Sequence, residues 1–441
     1  MTYTSTVEQL RHYTLDFMKN KRLFYCATLH LVVMDQNQTK YRAALLQIFQ
    51  YRDFRVLGLN SIFSSFGGMG ETVAIGWIVL ELTDSPFMVG VVMALKMGPH
   101  LFLGIVAGAV VDMVDRRTFM PFISALTALP NIIIALLLMA DLLELWHLLL
   151  LILLSGCLNP FSATTRQSFA YDIVGPALAM QGLAGLTMLS RVGGMIGAGL
   201  VGVAIGRSGL GVAFMIIGIA QLLSGGVMLL AKSAGQAAPT ERESIIDNLK
   251  GFVKEIRTNK ALSQLVLLVG AVEMLGFSHM TLLPSLARDV LKVGPEGLGV
   301  MNSIKGAGAL LGLAVFASVG DVRRKGLLFL LVLHVFGIAI VFLGLSKTLI
   351  LTVMILIVVS TMTALSDVLS QGLMQLNVPN KLRGRAMGSW LFAIGTSPLG
   401  YLEIGALASF ASVGIALMVN GLGVVILAAG VTLVSSRIRK L

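Results

Sequence analysis

Long apolar runs broken by short polar turns dominate this chain from Leu57 to Val434. A bilayer core of about 30 Å is crossed by about 20 helical residues, and runs of that length recur throughout. The pattern predicts twelve spans, at 57–80, 87–111, 118–140, 145–165, 178–205, 210–232, 261–284, 297–319, 326–345, 349–370, 386–409 and 412–434. Membrane strands need only about 9 to 11 alternating residues, so the runs read as helices. The expected fold class is an all-α membrane protein.

The turns repeat. Gly108 to Arg117 reads Gly-Ala-Val-Val-Asp-Met-Val-Asp-Arg-Arg, and Ala317 to Lys325 is a weaker copy. There Asp321 stands for Asp112, and Arg323, Arg324 and Lys325 stand for Arg116 and Arg117. An offset of 209 relates these turns, and one of 204 relates Gln167, Val174 and Leu178 to Gln371, Val378 and Leu382. The expectation is two pseudo-symmetric halves of six helices, arranged as parallel repeats. The chain then divides into a polar segment 1–55, a bundle 56–232, a cytoplasmic linker 233–260, a second bundle 261–436 and a basic tail 437–441. Within 1–55 the apolar patch from Leu23 to Met34 is too short to span. Met34 opens a plausible start, so residues 1–33 read either as an upstream extension or as a regulatory tail.

Composition agrees with a lipid solvent. Of 441 residues 56% are hydrophobic and 12% charged, and the mean hydropathy is +0.87. The 48 glycines suit helices that must approach closely without a hydrophobic drive between them. The net charge of +11 is unevenly placed. Arg116, Arg117, Arg166, the stretch from Lys232 to Lys260, Arg323 to Lys325 and the C-terminal tail fall on one side of the alternating loops. Only Arg207, Arg288, Lys292 and Lys347 fall on the other. The first side is expected to be cytoplasmic, with both termini there and the protein in a bacterial inner membrane. No basic soluble face suggests nucleic acid. Cys26 and Cys157 make neither a metal nor a disulfide spacing, and no phosphate-binding Gly-x-x-x-x-Gly-Lys-Ser/Thr run is present. The expected class is a secondary transporter without cofactor, metal or enzyme chemistry, the alternatives being lipid movement or uptake by the same fold, or a non-transporting membrane sensor that would have less need of the repeated turn.

Charges inside spans are costly, so each marks a candidate site. Glu71 lies near the middle of span one, either as a proton carrier or as a neutral acid bonded to a neighbouring helix. Glu273 in span seven occupies nearly the repeat position of Glu71, with His279 six residues on. Lys96 and Lys305 each precede their turn acid by sixteen residues. At about 24 Å from the turn they either snorkel to external headgroups or converge on a cavity and bind an anion. Arg191 is expensive to bury alone, and pairing with Glu71 or Glu403 is expected. Asp367, near the end of span ten, is assigned to the gate. Gly193, Gly197 and Gly202 form a small-residue face on span five, and Pro398 joins the corresponding packing face of span eleven. In the turn itself, Gly108 permits a tight approach and Asp112 is placed to bond free amides at a helix N-terminus.

These residues resemble the major facilitator superfamily over about residues 50 to 435, with Gly108 to Arg117 similar to its signature turn. Arg52-Asp53-Phe54-Arg55, Leu80-Glu81-Leu82-Thr83-Asp84-Ser85-Pro86, Arg166-Gln167 and Val378-Pro379 through Arg383-Gly384-Arg385 look like the enterobactin and macrolide exporter branch. The resemblance implies a central cavity, alternating access, proton-driven export of small organic molecules, and a conformational latch at Asp112, Arg116 and Arg117. Two departures mark this chain. The Gly-Pro pair of the antiporter signature is Gly197-Ala198, and Gly68 stands where the branch often has an acid, with Glu71 one turn later. The expected partners are a small-molecule substrate, protons and membrane lipid. The substrate reading stays between a siderophore-like anion and a zwitterionic or cationic drug. A monomer is the default for such a fold.

Overall fold

A computed structural model describes residues 47–233, 259–319, 324–377, 390 and 392–440. The start at Met34, most of the linker and the turn residues Asp321 and Arg323 lie outside the described residues. Among those described there is no strand. The first three helices are α1 Arg52–Thr83, α2 Pro86–Val111 and α3 Arg116–Met139. Their starts follow local chemistry. Ser85 caps α2 by accepting from the Met88 amide, with Pro86 at the first helical position, where its missing N–H has no partner to lose. Asp115 caps α3 by accepting from the Arg117 amide at 3.1 Å.

Leu145–Met228 is one helical stretch of 84 residues broken twice, at Gly175 (φ 72°, ψ 173°) and Gly209 (φ 84°, ψ 169°). These backbone angles are open essentially to glycine alone. The breaks give α4 (145–174), α5 (176–208) and α6 (210–228). The connection expected between spans four and five thus shrinks to Gly175 followed by Pro176, since the preceding polar residues remain helical.

The second half of the chain begins with α7 Lys260–Leu275, capped by Asn259. Its continuation is irregular: a 3₁₀ segment Phe277–Leu282, a single turn Leu283–Ser285 and a π segment Leu286–Val290. The regular helix expected over 261–284 therefore stops early. Phe336 packs against Gly276, and Ser278 and His279 turn back onto the carbonyls of Leu275 and Gly276. Then follow α8 Gly294–Val319, α9 Lys325–Leu345, α10 Leu349–Leu376, α11 Ser397–Phe410, α12 Val413–Val434 and the short α13 Ser436–Lys440. By length and composition, nine helical stretches among the described residues can cross a membrane, the doubly broken one counted once.

Glycines set how closely these helices pack. A Cβ on Gly193 or Gly197 would stand 2.3 Å from the carbonyl oxygen of Ile62 or Phe66, so α5 lies directly on the backbone of α1. On another face of α5, a Cβ on Gly202 would meet Gly299 and Pro295 of α8 at 2.7 Å. Pro398 stands at the opening of α11, rather than within a helical packing face, because the chain turns at Gly395 and Thr396 before it.

Contacts between the two chain halves gather at the end of the molecule away from the Gly108–Arg117 turn. There a Cβ on Gly90 of α2 would meet the Tyr401 carbonyl of α11 at 2.3 Å, and the Phe87 amide donates to Ser409 Oγ. Gly76 of α1 faces Pro284, and Arg288 Nη1 donates to the Leu80 carbonyl at 2.7 Å. Toward the turn end, Gly98, Gly104 and Gly108 have open space where a side chain would project. The interior is therefore shut at the far end.

Candidate functional site

In the first half of the chain, α1, α2 and α4 bring together Glu71, Lys96 and Ser155. Both charged residues are buried, Glu71 2% and Lys96 7% exposed. Lys96 Nζ lies 3.1 Å from Glu71 Oε2, and Ser155 Oγ donates to Glu71 Oε1 at 2.7 Å. Lys96 also donates to Thr72 Oγ1 at 3.2 Å. Gly156 makes room for this, because a Cβ there would sit 2.5 Å from the Lys96 carbonyl oxygen. Lys96 does not snorkel to a headgroup. Its charge is balanced inside the protein, which is the arrangement a buried pair needs to offset desolvation.

The counterpart in the second half differs. Lys305 of α8 is 8% exposed, but its only side-chain hydrogen bond is a long one, 3.4 Å, to Asn302 Oδ1. Among the described residues no carboxylate lies within 4 Å of it. Glu273, the expected counterpart of Glu71, instead accepts from Ser397 Oγ of α11 at 2.9 Å. The repeat is out of register here: Glu71 and Lys96 are 25 residues apart, Glu273 and Lys305 are 32, and the irregular end of α7 lies between them.

Arg191 corrects a second expectation. Glu71 is taken by Lys96 and Glu403 accepts from Asn420 Nδ2 at 3.0 Å, so neither is its partner. Among the described residues it makes no ion pair within 4 Å, and its carbonyl lies against α8, where a Cβ on Gly306 would stand 3.6 Å from it. Arg191 is itself exposed, on a face of α5 shared with Met180, Ala184 and Met188. At about 100° per residue, Asp367 lies opposite the exposed Leu351, Met354 and Val358 of α10 and so faces inward. α10 continues to Leu376, so Asp367 belongs to the interior rather than to the helix end. Helices α5 and α8 touch at this level, where Ser303 Oγ donates to the Met195 carbonyl at 2.7 Å.

His279 is fully buried in the irregular end of α7, with Nδ1 at 2.6 Å from the Gly276 carbonyl. A carbonyl only accepts, so Nδ1 carries the proton and Nε2, which has no partner, is left a bare acceptor. Asn420 joins Glu403 to Ser278 of the same segment.

At the turn end, buried Arg116 donates from Nη1 to both Asp172 oxygens, at 2.8 and 2.6 Å, and from Nη2 to Asp112 at 2.9 Å. The turn is thus fastened to α4 through Asp172, which the sequence reading left without a role. Asp112 ends α2 and binds Arg116, while the amide-capping role expected of it belongs to Asp115, one residue before α3. Gly108 makes no tight approach: a Cβ there would have no atom within 4 Å. Arg117 reaches the Lys232 carbonyl at 3.5 Å, and Arg324 is an exposed residue preceding α9. Asp53, in the motif before span one, accepts from the amides of Lys232 and Ser233 and from Ser233 Oγ, tying the start of α1 to the end of the first half. Buried Asn60, Ser124 and Ser224 link α1, α3 and α6. Single polar residues in apolar runs gave no sequence signal for such a network.

A family profile described as transmembrane secretion effector matches residues 44–441. No curated protein sequence matches the chain significantly. Among solved structures, a POT family transporter in complex with 5-aminolevulinic acid superposes with a TM-score of 0.74 at 11% identity, over 88% of this chain and 96% of that one. A peptide transporter POT in complex with sulfate gives 0.71 at 14% identity, over 88% and 95%. A nucleoside transporter, NupG, gives 0.71 at 15% identity, over 86% and 99%. At these identities the likeness is one of fold.

Proposed function

Since the chain belongs to the transmembrane secretion effectors of the major facilitator superfamily, we propose that it is a proton-coupled exporter of a small amphiphilic organic molecule, siderophore-like anion or drug. It works by alternating access between two six-helix halves with twelve spans, as a monomer in a bacterial inner membrane with both termini cytoplasmic. The observation that carries this reading is the presence of charged residues within the spans, buried Lys305 of α8 and Glu273 of α7 and inward-facing Asp367 of α10, with Arg191 of α5 beside α8 where the two chain halves touch. Charges in that place are retained at a cost that ordinary packing does not justify. The closure at the far end supports one of the two states that alternating access requires, with the cavity facing the basic, cytoplasmic side.

Of the two candidate proton carriers we assign the role to Glu273. Glu71 is neutralised by Lys96, whereas Glu273 has no cation within 4 Å among the described residues and shares its site with Asp367. The repeated turn, with Arg116 held between Asp112 and Asp172, is the latch that rearranges between states.

The experiment is flux in oriented proteoliposomes under an imposed pH gradient, with catecholate and carboxylate siderophores, macrolides and lipophilic cations as solutes. Gradient-driven movement out of the cytoplasmic-equivalent side, abolished by Glu273→Gln and kept by Glu71→Gln, is the expected result. Movement in the other direction makes the protein an importer, and flux that ignores the gradient removes the proton from the mechanism.

A further inference from the structure

Lys96 and Lys305 occupy the same repeat position and are buried to the same extent, yet only Lys96 has a carboxylate partner. A buried ammonium without a counter-ion is strongly unfavourable. Lys305 has one neutral oxygen, at 3.4 Å. Across the contact of α5 with α8, where a Cβ on Gly306 would stand 3.6 Å from the Arg191 carbonyl, exposed Arg191 has no hydrogen bond or salt bridge among the described residues, and Asp367 stays more than 4 Å from any cation described. The acids of the second half are otherwise engaged, Glu273 by Ser397 and Glu403 by Asn420.

We propose that an acidic group on the transported molecule binds between Lys305 and Arg191, supplying in the second half of the chain the counter-charge that Glu71 supplies to Lys96 in the first. The group is a carboxylate or another compact oxyanion: a guanidinium offers it a planar two-donor fork, and an ammonium offers a point charge alongside. Because Arg191 lies on α5 and Lys305 on α8, the anion spans the seam between the chain halves. Binding therefore changes the electrostatics of the interface that must rearrange during transport. This inference rests on the export reading only for its directionality, since the anion site itself is defined by the two cations.

The test uses the full chain in nanodiscs, with 1-naphthylacetate and dansylglycine as acidic probes and their primary amides as matched neutral controls. Each acid is expected to raise the thermal midpoint more than its amide, and the difference should vanish in Lys305→Met and in Arg191→Gln. Affinity for the acids should fall about tenfold or more in each variant. A second reading needs no ligand: Lys305→Met should unfold at an equal or higher temperature than the wild type, because it removes an uncompensated charge. Equal response to acids and amides, no response to either acid, or acid selectivity that survives in Arg191→Gln overturns the proposal. So does a Lys305→Met protein that loses as much stability as Lys96→Met, which reveals an internal counter-ion. Acid-selective binding without gradient-driven flux leaves the anion site standing and removes the export reading. Gradient-driven flux of cations alone, unchanged in Lys305→Met, does the reverse.

Discussion

The two halves of this chain carry the same lysine in two different electrostatic states. In the first half Lys96, Glu71, Thr72 and Ser155 form a closed set in which each charge and the serine hydroxyl is satisfied. In the second, the nearest candidate acid, Glu273, stands in the regular part of α7, 32 residues before Lys305 instead of 25, and accepts from Ser397. A repeat fixes where a side chain enters the interior. Whether that side chain meets a partner depends on the helix next to it. The satisfied half resembles a structural strut, and the unsatisfied half is where an external charge has something to gain.

The largest effect that can break this comparison is expected at Lys96. Lys96→Met strands Glu71 in a site with almost no water, and removing one member of a buried pair costs about 3–5 kcal/mol. Thermal unfolding in detergent should show the loss, and Lys96→Met combined with Glu71→Leu should recover most of it, since a buried pair replaced by apolar side chains is often neutral. A double variant as unstable as the single one means that packing at this site, and not charge balance, was removed.

Glycine offers a second contrast of intermediate size, between a helix face packed on backbone and one that meets open space. Gly197→Ala places a methyl group where 2.3 Å separates it from the Phe66 carbonyl oxygen, a backbone atom that cannot swing aside. Overpacking of this kind costs about 1–3 kcal/mol. Gly108→Ala meets open space and should leave stability within about 0.5 kcal/mol. Its effect is expected in transport, where the turn end must close and the added methyl group finds a neighbour. Equal stability losses for both substitutions remove the distinction between a packed and an open glycine face.

How much of this was legible beforehand follows from the range of each interaction. Run length and glycine spacing are local, so the helices and the α5 face bearing Gly193, Gly197 and Gly202 were readable from the sequence. The twofold repeat located Lys96 and Lys305, and the signature turn located Asp112 and Arg116. Partners were not readable, because they lie across helix packing. Nothing in the sequence distinguishes Lys96 from Arg191 as the cation that reaches Glu71. Asp172 and Asp115 were hidden for a different reason: their roles depend on where α4 passes the turn and on the residue at which α3 starts. The irregular end of α7 had a visible hint, Gly276 and Pro284 within one predicted span, but its consequence for register with α8 is a tertiary one.

The smallest effect concerns what holds the far end shut. Arg288 Nη2 reaches Asp84 Oδ1 at 2.5 Å, while Nη1 bonds the Leu80 carbonyl at the C-terminal end of α1 and Nε bonds Asp289. Asp84 is largely exposed, and an exposed ion pair contributes about 1 kcal/mol or less. The bond to Leu80 adds a comparable amount, since a typical hydrogen bond contributes about 1 kcal/mol. Arg288→Gln should therefore cost up to about 2 kcal/mol of stability and shift the balance between states by up to about thirtyfold toward opening at this end. Spin labels on cysteines replacing Leu82 and Lys292 can follow that separation, with a longer-distance population expected to grow in the variant. The residues of the ion-pair comparison predict no such change for Lys96→Met, which disturbs one half of the chain without touching the contact between halves. If Lys96→Met and Arg288→Gln move the distance distribution alike, the strut in the first half is part of the gate, and the division of labour between the halves fails.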